Sequence, residues 1–183
     1  MQFEELITPR LRLLKLTPQG YDYIYANFDD VQLIDFLGLT SAEDLAKEKN
    51  KHAGGFTTHS ISIMAFLLIE KSTGKVIGKC GFHNWNALHS RAELGYHISI
   101  DSFKQQGFMT EALSAVLDYG FNHMQLNRIE ALIAPQNTPS LKLLERNGFI
   151  KEGQLRSHYY IDGVFEDSVV YSLLKHEYIK ISL

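Results

Sequence analysis

The sequence predicts an α+β fold with a mostly antiparallel sheet, and three observations support this prediction. The 183 residues fit one domain, residues 1–183. Hydrophobic residues make up 45% of the chain and charged residues 21%, as in an ordinary domain with a core. Apolar residues alternate with polar ones in some segments and recur with a helical period in others. These segments predict the order strand, two helices, three strands, helix, strand, helix, two strands, hence about seven strands.

The first part of the chain predicts one strand and two helices. Leu11 to Leu16 has the composition of a strand. A helix begins at Pro18, because apolar side chains then follow at the spacing of one buried stripe. Ser41 with Asp44 resembles a capping box and predicts a second helix, which is polar on most sides. We therefore expect this second helix to lie at the surface.

Three strands joined by short turns are predicted next. They are Ser62 to Glu70, Val76 to Trp85 and Ala92 to Ile100, and their short connections favour an antiparallel meander. Side chains alternate between the two faces of a strand. The third strand therefore has an apolar face and a second face that is poor in apolar bulk. The residues on that second face are Glu93, Gly95, His97 and Ser99.

The second half begins with a helix and ends with a hairpin. A broad apolar stripe predicts a helix from Gly107 to Met124, and Arg128 to Ala134 predicts a strand. A short helix is predicted from Thr138 to Asn147, followed by Gly148 as a left-handed cap. Asp162-Gly163 is a strong two-residue turn signal, which joins the last two strands.

Composition and charge exclude several classes of protein. The net charge is −3, and the chain has no run of basic residues, which argues against nucleic-acid binding. The one cysteine, Cys80, excludes a disulfide scaffold, and the eight histidines show no metal-binding spacing, so no metal is expected. No apolar stretch approaches the ~20 residues of a membrane span. The N-terminus does not resemble a signal peptide, so we expect a cytoplasmic protein.

The segment from Ile98 to Ala112 has the composition of an anion-binding site. A strand ends there, a loop of polar residues follows, and a helix begins. The first N–H groups of a helix have no partner within it and favour an anion such as phosphate. Gly107 lets a ligand approach the backbone closely. The alternative is an ordinary connection in which this glycine only turns the chain.

Three spaced motifs give the chain a resemblance to a known family. KQQGFMTEAL, the upstream AELGYHISI and the downstream NRIEALIAPQNTPSLKLLERNGF resemble the GNAT superfamily of N-acetyltransferases, and most closely its RimJ/RimL-like branch. The resemblance implies a GNAT fold, with helices on both sheet faces and strands splayed at the cofactor site. It also implies acetyl-CoA as donor and, as acceptor, a protein N-terminal amine or a small-molecule amine. A monomer and a homodimer both remain open.

By this resemblance, backbone groups hold the acetyl-CoA. The family's loop has Gln or Arg first and Gly or Ala last, where this chain has Lys104 and Met109. The residues implied in contact with the pyrophosphate are Gln105, Gln106, Gly107, Phe108, Met109 and Thr110. The pantetheine arm is expected along Ile98, Ser99 and Ile100, with a hydrogen bond from Asn137. The alternative for Asn137 is a helix cap, because asparagine is a common capping residue.

The resemblance also implies two catalytic residues. Glu93 matches a strand glutamate that serves as general base, and the alternative is an exposed strand glutamate paired with Arg91 or a neighbouring lysine. Second candidates for the base are Glu166 and Asp167 in the hairpin. Leu144 stands where many relatives have a tyrosine that protonates the leaving thiolate, so Ser140 is the expected substitute. These departures leave a rival hypothesis, a catalytically silent acyl-CoA-binding module.

Overall fold

The computed structural model describes residues 1–55, 57 and 62–179. Within these ranges, eight strands form one sheet. The strands are β1 (Glu5–Ile7), β2 (Leu11–Leu16), β3 (Ser62–Glu70), β4 (Val76–Asn86), β5 (Arg91–Ile98), β6 (Arg128–Ile133), β7 (Ile150–Ile161) and β8 (Val164–Leu174). Their order across the sheet is β1-β2-β3-β4-β5-β6-β8-β7. The predicted antiparallel meander is confirmed as β3, β4 and β5.

The sheet is split between its two central strands. β5 and β6 form the one parallel pair among the described strands, and the last residues to pair are Glu93 and Glu130. Beyond that point β5 continues to Ile98, still bonded to β4, and β6 continues to Ile133, still bonded to β8. The two strands therefore diverge, and the expected splay is confirmed. Glu93 lies at the vertex of the split.

Five α-helices are present in the described ranges. They are α1 (Pro18–Asn27), α2 (Asp30–Leu37), α3 (Ala42–Ala53), α4 (Phe108–Asp118) and α5 (Thr138–Arg146). A 3-10 turn at Asp101–Phe103 precedes α4, and a π-helical turn at Tyr119–His123 extends it. The helix predicted from Gly107 to Met124 is therefore confirmed, with its last turn widened.

The helices cover both faces of the sheet, as expected. On one face α4 and α5 bury Leu113 and Leu144 against Leu94 of β5. On the other face α1, α2 and α3 form a second core, in which Tyr21 is buried with Leu67 of β3. A fully buried leucine contributes about 1.5–3 kcal/mol. The alternation in β5 therefore turns its apolar side to α4 and leaves Glu93 on the face of α1 to α3.

The early region contains two elements that the sequence analysis missed. Helix α2 begins with a capping box, in which the Asp29 carboxylate accepts from the Gln32 N–H at 2.8 Å and the Gln32 side chain accepts from the Asp29 N–H at 2.9 Å. This pair was the available signal. The other missed element, β1, has only three residues, too few for a period to show. The sheet therefore has eight strands instead of about seven.

The ends of the later elements differ by a few residues from those predicted. β5 ends at Ile98 rather than Ile100, because the chain bends into the 3-10 turn. The first arm of the hairpin, β7, runs from Ile150 to Ile161. The hairpin turn itself is confirmed, since Asp162 and Gly163 have φ of 49° and 85°, the left-handed conformation that such a turn requires.

Candidate active site

The turn into α4 has the backbone of an anion-binding site. In this entry turn (residues 104–107), Gln105 has a φ of 59° and Gly107 a φ of 80°, whereas Gln106 between them is not left-handed. Successive N–H groups in such alternating conformations converge on one concave surface that binds anions. Both residues are exposed, so a ligand can reach them. The alternative of a glycine that only turns the chain does not account for the second left-handed residue.

The start of α4 also lacks a side-chain cap. Among the described α-helices, the other four are capped by a side chain that accepts from the first turn, in order Thr17, Asp29, Ser41 and Asn137. The N-cap of α4 is Gly107, which has no side chain to offer. The first N–H groups of α4 therefore remain available to a negatively charged ligand.

The side chains of this segment explain why it departs from the family's loop. Phe108 is buried and its ring meets Phe103 edge-on, with centroids 5.6 Å apart. Met109 packs against the core, so its side chain points away from any ligand. Gln105 occupies a left-handed position that glycine fills at lower cost. The left-handed backbone of this turn therefore forms with side chains other than those of the family's loop.

The end of β5 presents unpaired backbone groups to the split. The Ser99 N–H donates to the Ile77 carbonyl on the β4 side at 2.9 Å. Backbone groups of successive residues in a strand point to opposite edges. The backbone N–H and C=O groups of Ile98 and the N–H group of Ile100 therefore point into the split. Of the three residues expected along the pantetheine arm, these two offer backbone groups to a ligand, and the Ser99 N–H is already bonded.

At the vertex, Glu93 is buried and held by its neighbours. Its side chain is 10% exposed. One carboxylate oxygen accepts from the Asn84 side-chain amide at 2.9 Å. The other oxygen lies 3.5 Å from Nε2 of His83. The expected pairing with Arg91 is not made, because Arg91 bonds to Glu130 at 2.9 Å. The Glu93 carboxylate is therefore neither exposed nor paired with Arg91, the first partner named in the structural alternative.

His83 is a site residue that the sequence analysis missed. Its Nδ1 lies 2.9 Å from the backbone oxygen of Glu93. A carbonyl only accepts, so Nδ1 carries a proton, and in the neutral form of the ring Nε2 has a free lone pair. Gly95 leaves the space beside it open, since a Cβ there would lie 3.8 Å from Nε2. The contact joins two neighbouring strands, and no residue spacing in the sequence predicts it. His97, on the same face of β5, lines a cleft together with His83.

That cleft opens on the same sheet face and has a volume of about 350 Å³. Charged or polar residues on its walls are Glu48, Lys51, Lys79, His83 and His97. Lys79 and Lys51 contact the Glu48 carboxylate at 3.2 Å and 2.7 Å. Burial alone would raise the pKa of Glu48, but the two lysines lower it overall. The cleft is therefore polar, with its acid already neutralised.

On the opposite side of the split, Asn137 and Ser140 lie at the start of α5. The Asn137 side-chain oxygen accepts from the Ser140 N–H at 3.3 Å, so the capping alternative is realised, while its amide NH₂ group is not used in this bond. The Tyr96 hydroxyl from β5 donates to the Ser140 carbonyl at 3.4 Å. Burial raises the pKa of Tyr96 to about 12. Leu144 is fully buried in the core, at the position where many relatives have the tyrosine that protonates the thiolate.

The two hairpin acids differ in availability. Both Asp167 oxygens accept hydrogen bonds, from the Ser157 N–H at 2.8 Å and the Gln154 amide at 2.7 Å. These bonds lower the pKa of Asp167 and make it a poor base. Glu166 has only a long contact of 3.4 Å from Gln136. In the hairpin, burial and then the charge of Glu93 raise the pKa of Tyr159.

Residues 1–55, 57 and 62–179 contain neither a metal-binding cluster nor a membrane-spanning helix. No group of three or more histidine, cysteine, aspartate or glutamate side chains in these ranges is arranged to hold a metal ion. No helix there is long and apolar enough to cross a membrane.

A split mixed sheet, with an uncapped helix start at the end of one strand of the split, is the framework of this candidate site. A family model described as the acetyltransferase (GNAT) domain matches residues 10–150. The chain therefore belongs to the GNAT family, and it is an N-acetyltransferase.

The names of similar proteins agree with this assignment. The chain is similar to p20 of Bacillus licheniformis, by name an N-acetyltransferase, with 35% identity over 179 residues that cover 96% of this chain and 98% of p20. It is 36% identical over 105 residues to YdaF of Bacillus subtilis, which is named for ribosomal N-acetylation. The aligned residues cover 57% of this chain and 57% of YdaF. A GNAT acetyltransferase structure from Bacillus anthracis superposes with a TM-score of 0.67 at 24% identity, covering 95% of this chain and 100% of the other. None of these matches favours the silent acyl-CoA-binding module.

Proposed function

We propose that the chain transfers the acetyl group of acetyl-CoA to the α-amine at a protein N-terminus, as a RimJ/RimL-like enzyme. The observation that carries the proposal is the position of Glu93. It lies at the vertex of the split, with the entry turn beyond the end of β5 and the polar cleft on its own face of the sheet. A donor in the split and an acceptor in the cleft meet at this carboxylate.

The donor is held mainly by the backbone. The residues from Gln105 to Thr110 bind the pyrophosphate through the left-handed turn and the uncapped N–H groups. The pantetheine arm contains amides and adds to the edge of β5 at Ile98 and Ile100 as an extra strand would. The Asn137 amide faces the arm from the other side while its oxygen caps α5.

Acetyl transfer proceeds by direct attack of the amine on the thioester. The C–N bond forms, the C–S bond breaks, and its electron pair leaves on sulfur. The chain's one thiol, Cys80, is fully buried, and burial raises its pKa to about 12, so it does not serve as an acyl carrier. An ammonium has no lone pair, so a base must take a proton first.

Glu93 is that base, and His83 assists it. The Glu93 carboxylate and Nε2 of His83 are two proton acceptors 3.5 Å apart that face the same space. An acceptor ammonium has protons for both. Glu93 takes one of them, directly or through a water, and the free amine then attacks. Ser140 lies across the split and assists departure of the thiolate, with the Tyr96 hydroxyl beside it.

The charges of the cleft favour a protein N-terminus over a polyamine. A polyamine carries several cations and needs unpaired acids, whereas Glu48 is already paired with Lys51 and Lys79. A peptide brings one ammonium and a row of carbonyls, which accept from lysine. The similarity to YdaF, which is named for ribosomal N-acetylation, points the same way.

The enzyme is expected to act as one domain in the cytoplasm. The hairpin tip leaves apolar side chains exposed, among them Tyr160 and Phe165, each 66% exposed. Exposed apolar clusters of this kind favour association, so between a monomer and a homodimer we propose the homodimer.

An acceptor panel tests the proposed function. Purified protein is incubated with acetyl-CoA and one of three acceptors: a peptide with a free α-amine, the same peptide blocked at its N-terminus but containing lysine, or spermidine. Thiol release gives the rate, and mass spectrometry locates the acetyl group. Acetylation of the free α-amine alone is expected. Preference for spermidine would favour a small-molecule acceptor, and CoA binding without turnover of any amine would favour the silent module.

A further inference from the structure

Arg10 lies against the entry turn although it is about a hundred residues away in sequence. It belongs to the connection between β1 and β2. Its Nη1 donates to the Gln106 carbonyl at 3.0 Å, and its Nε bonds to the Glu111 carboxylate at 2.7 Å. The guanidinium also lies 4.2 Å above the Phe108 ring. One side chain therefore contacts the turn, the first helical residue and the first turn of α4.

The bond to Gln106 fixes the direction of the next N–H group. In a trans peptide the C=O and N–H groups point in opposite directions, and no cis peptide occurs in the described residues. Because the Gln106 carbonyl points to Arg10, the Gly107 N–H points away from it. No acceptor among the described residues takes that N–H. Arg10 therefore binds one side of the turn, and the free N–H of Gly107 points to the opposite side.

Arg10 also neutralises a buried negative charge beside the anion site. Glu111 is 4% exposed and lies in the first turn of α4. It accepts from the Thr8 hydroxyl at 2.6 Å and from the Arg10 N–H and Nε at 2.7 Å each. Burial alone would raise the pKa of Glu111, but these bonds lower it and keep the group ionised. Without Arg10, this anion would oppose a phosphate at the same helix start.

We propose that Arg10 is a positioning residue for the phosphates of the donor. It orients the peptide between Gln106 and Gly107 toward the pyrophosphate and cancels the charge of Glu111. The inference rests on the proposed function, because it takes acetyl-CoA as the donor. Arg10 touches the turn from the side away from the ligand, so it affects binding of the donor and leaves the chemical step alone.

A comparison of two donors tests the inference. S-acetylpantetheine carries the same thioester without the phosphates, so a residue that acts through the phosphates affects only acetyl-CoA. Arg10→Gln is expected to raise the KM for acetyl-CoA at least tenfold with kcat within twofold of wild type. Its kcat/KM for S-acetylpantetheine should stay within twofold. Arg12→Gln is the matched control, because Arg12 lies two residues after Arg10, is exposed and pairs with Glu5.

A second substitution separates the two parts of the role. Adding Glu111→Gln to Arg10→Gln removes the uncompensated charge. The KM for acetyl-CoA should then be at least threefold lower than that of Arg10→Gln alone. A double variant no better than Arg10→Gln would overturn the charge contribution. Equal losses for both donors would show a merely structural role and overturn the proposal, as would an unchanged KM for acetyl-CoA.

Two controls keep the outcome decisive. If Arg10→Gln does not fold, Arg10→Lys serves in its place, because lysine keeps the charge but cannot hold Gln106 and Glu111 together. A wild-type protein that binds no CoA would end the proposed function and this inference with it. An active wild type whose Arg10 variants match it would end this inference alone.

Discussion

The side-chain amide of Asn84 donates to the Glu93 carboxylate at 2.9 Å, from one strand to the next. Asn84 has a φ of 49° and lies in an irregularity of β4, where the register with β5 shifts between His83 and Asn86. Bulges of this kind turn a side chain out of its regular direction and often lie beside active sites. One oxygen of Glu93 is thereby fixed, and the other is left facing His83.

Replacing the proposed base provides the first prediction. Glu93→Gln keeps the shape and the bond to Asn84 but removes the basicity. We expect kcat to fall by about 10²–10⁴-fold at pH 7, the usual loss for a general base. The deficit should shrink toward pH 9.5, because the amine then arrives already deprotonated. Steady-state rates at the two pH values measure this.

The control for this variant is the glutamate paired with Glu93 across the vertex. The Glu130 carboxylate is already held in ion pairs with Arg91 and Arg128 at 2.9 Å and 3.1 Å. Glu130→Gln should keep kcat within a fewfold of wild type. Equal deficits of Glu93→Gln at both pH values would indicate a binding role instead. No deficit at either would transfer the role to Glu166.

The second prediction concerns the glycine of the entry turn. Gly107→Ala forces a side chain into a left-handed position, at a cost of about 1–2 kcal/mol, and disturbs the N–H groups that bind phosphate. Affinity for CoA should fall at least tenfold by calorimetry. Gly74→Ala is the matched control, because Gly74 has a φ of 70° in a turn with nothing within 4 Å of an added Cβ.

Gly107→Ala and Gly74→Ala should lose similar stability but differ in their affinity for CoA. Thermal unfolding measures the stability, and titration with CoA measures the affinity. If both variants bind CoA as wild type does, the phosphate site lies elsewhere. If both lose affinity equally, the loss reflects stability and not the site.

Local patterns predicted the parts of the site that lie within one segment. The strand, turn and uncapped helix around Gly107 follow from spacing, and so does the face of β5 that carries Glu93. The residues that were missed act across segments. His83 reaches Glu93 from the neighbouring strand, and Arg10 reaches the entry turn from the start of the chain. Such contacts depend on tertiary packing, which neither periodicity nor motif spacing encodes.

The third prediction is a pH dependence of stability at the turn between β3 and β4. Hydrogen bonds from Thr73 and Ser72 lower the pKa of Glu70 from 4.5 to about 2. A carboxyl whose pKa is lower in the folded state stabilises that state above the unfolded pKa. This contribution should be lost as the pH falls from about 4.5 toward 2.

Glu70→Gln isolates that contribution. The variant should be less stable than wild type at pH 7, and the difference should narrow as the pH approaches 2. Urea unfolding at several pH values measures it. Glu43→Gln is the control, because Glu43 is exposed and pairs only with Lys47 on α3. A constant difference between Glu70→Gln and wild type at all pH values would contradict the linkage.

The last prediction concerns the leaving thiolate, for which two hydroxyls are candidates, Ser140 at the start of α5 and Tyr96 on β5. Ser140 is the expected donor, and the Tyr96 hydroxyl lies 3.4 Å from its carbonyl. Because burial raises the pKa of Tyr96 to about 12, its hydroxyl stays protonated and can donate a hydrogen bond at any working pH. Ser140→Ala should lower kcat about tenfold, a barrier change of ~1.4 kcal/mol, with CoA affinity nearly unchanged.

Tyr96→Phe decides how the two hydroxyls share this role. If Tyr96 only orients Ser140, the double variant should be no slower than Ser140→Ala, since both changes remove the same contribution. If each donates to sulfur, the losses should multiply. A thioester with a more acidic leaving thiol needs less assistance, so it should reduce the Ser140→Ala deficit in either case. A deficit that does not respond to the leaving group, or a loss confined to CoA affinity, would make Ser140 part of donor binding rather than of thiolate departure.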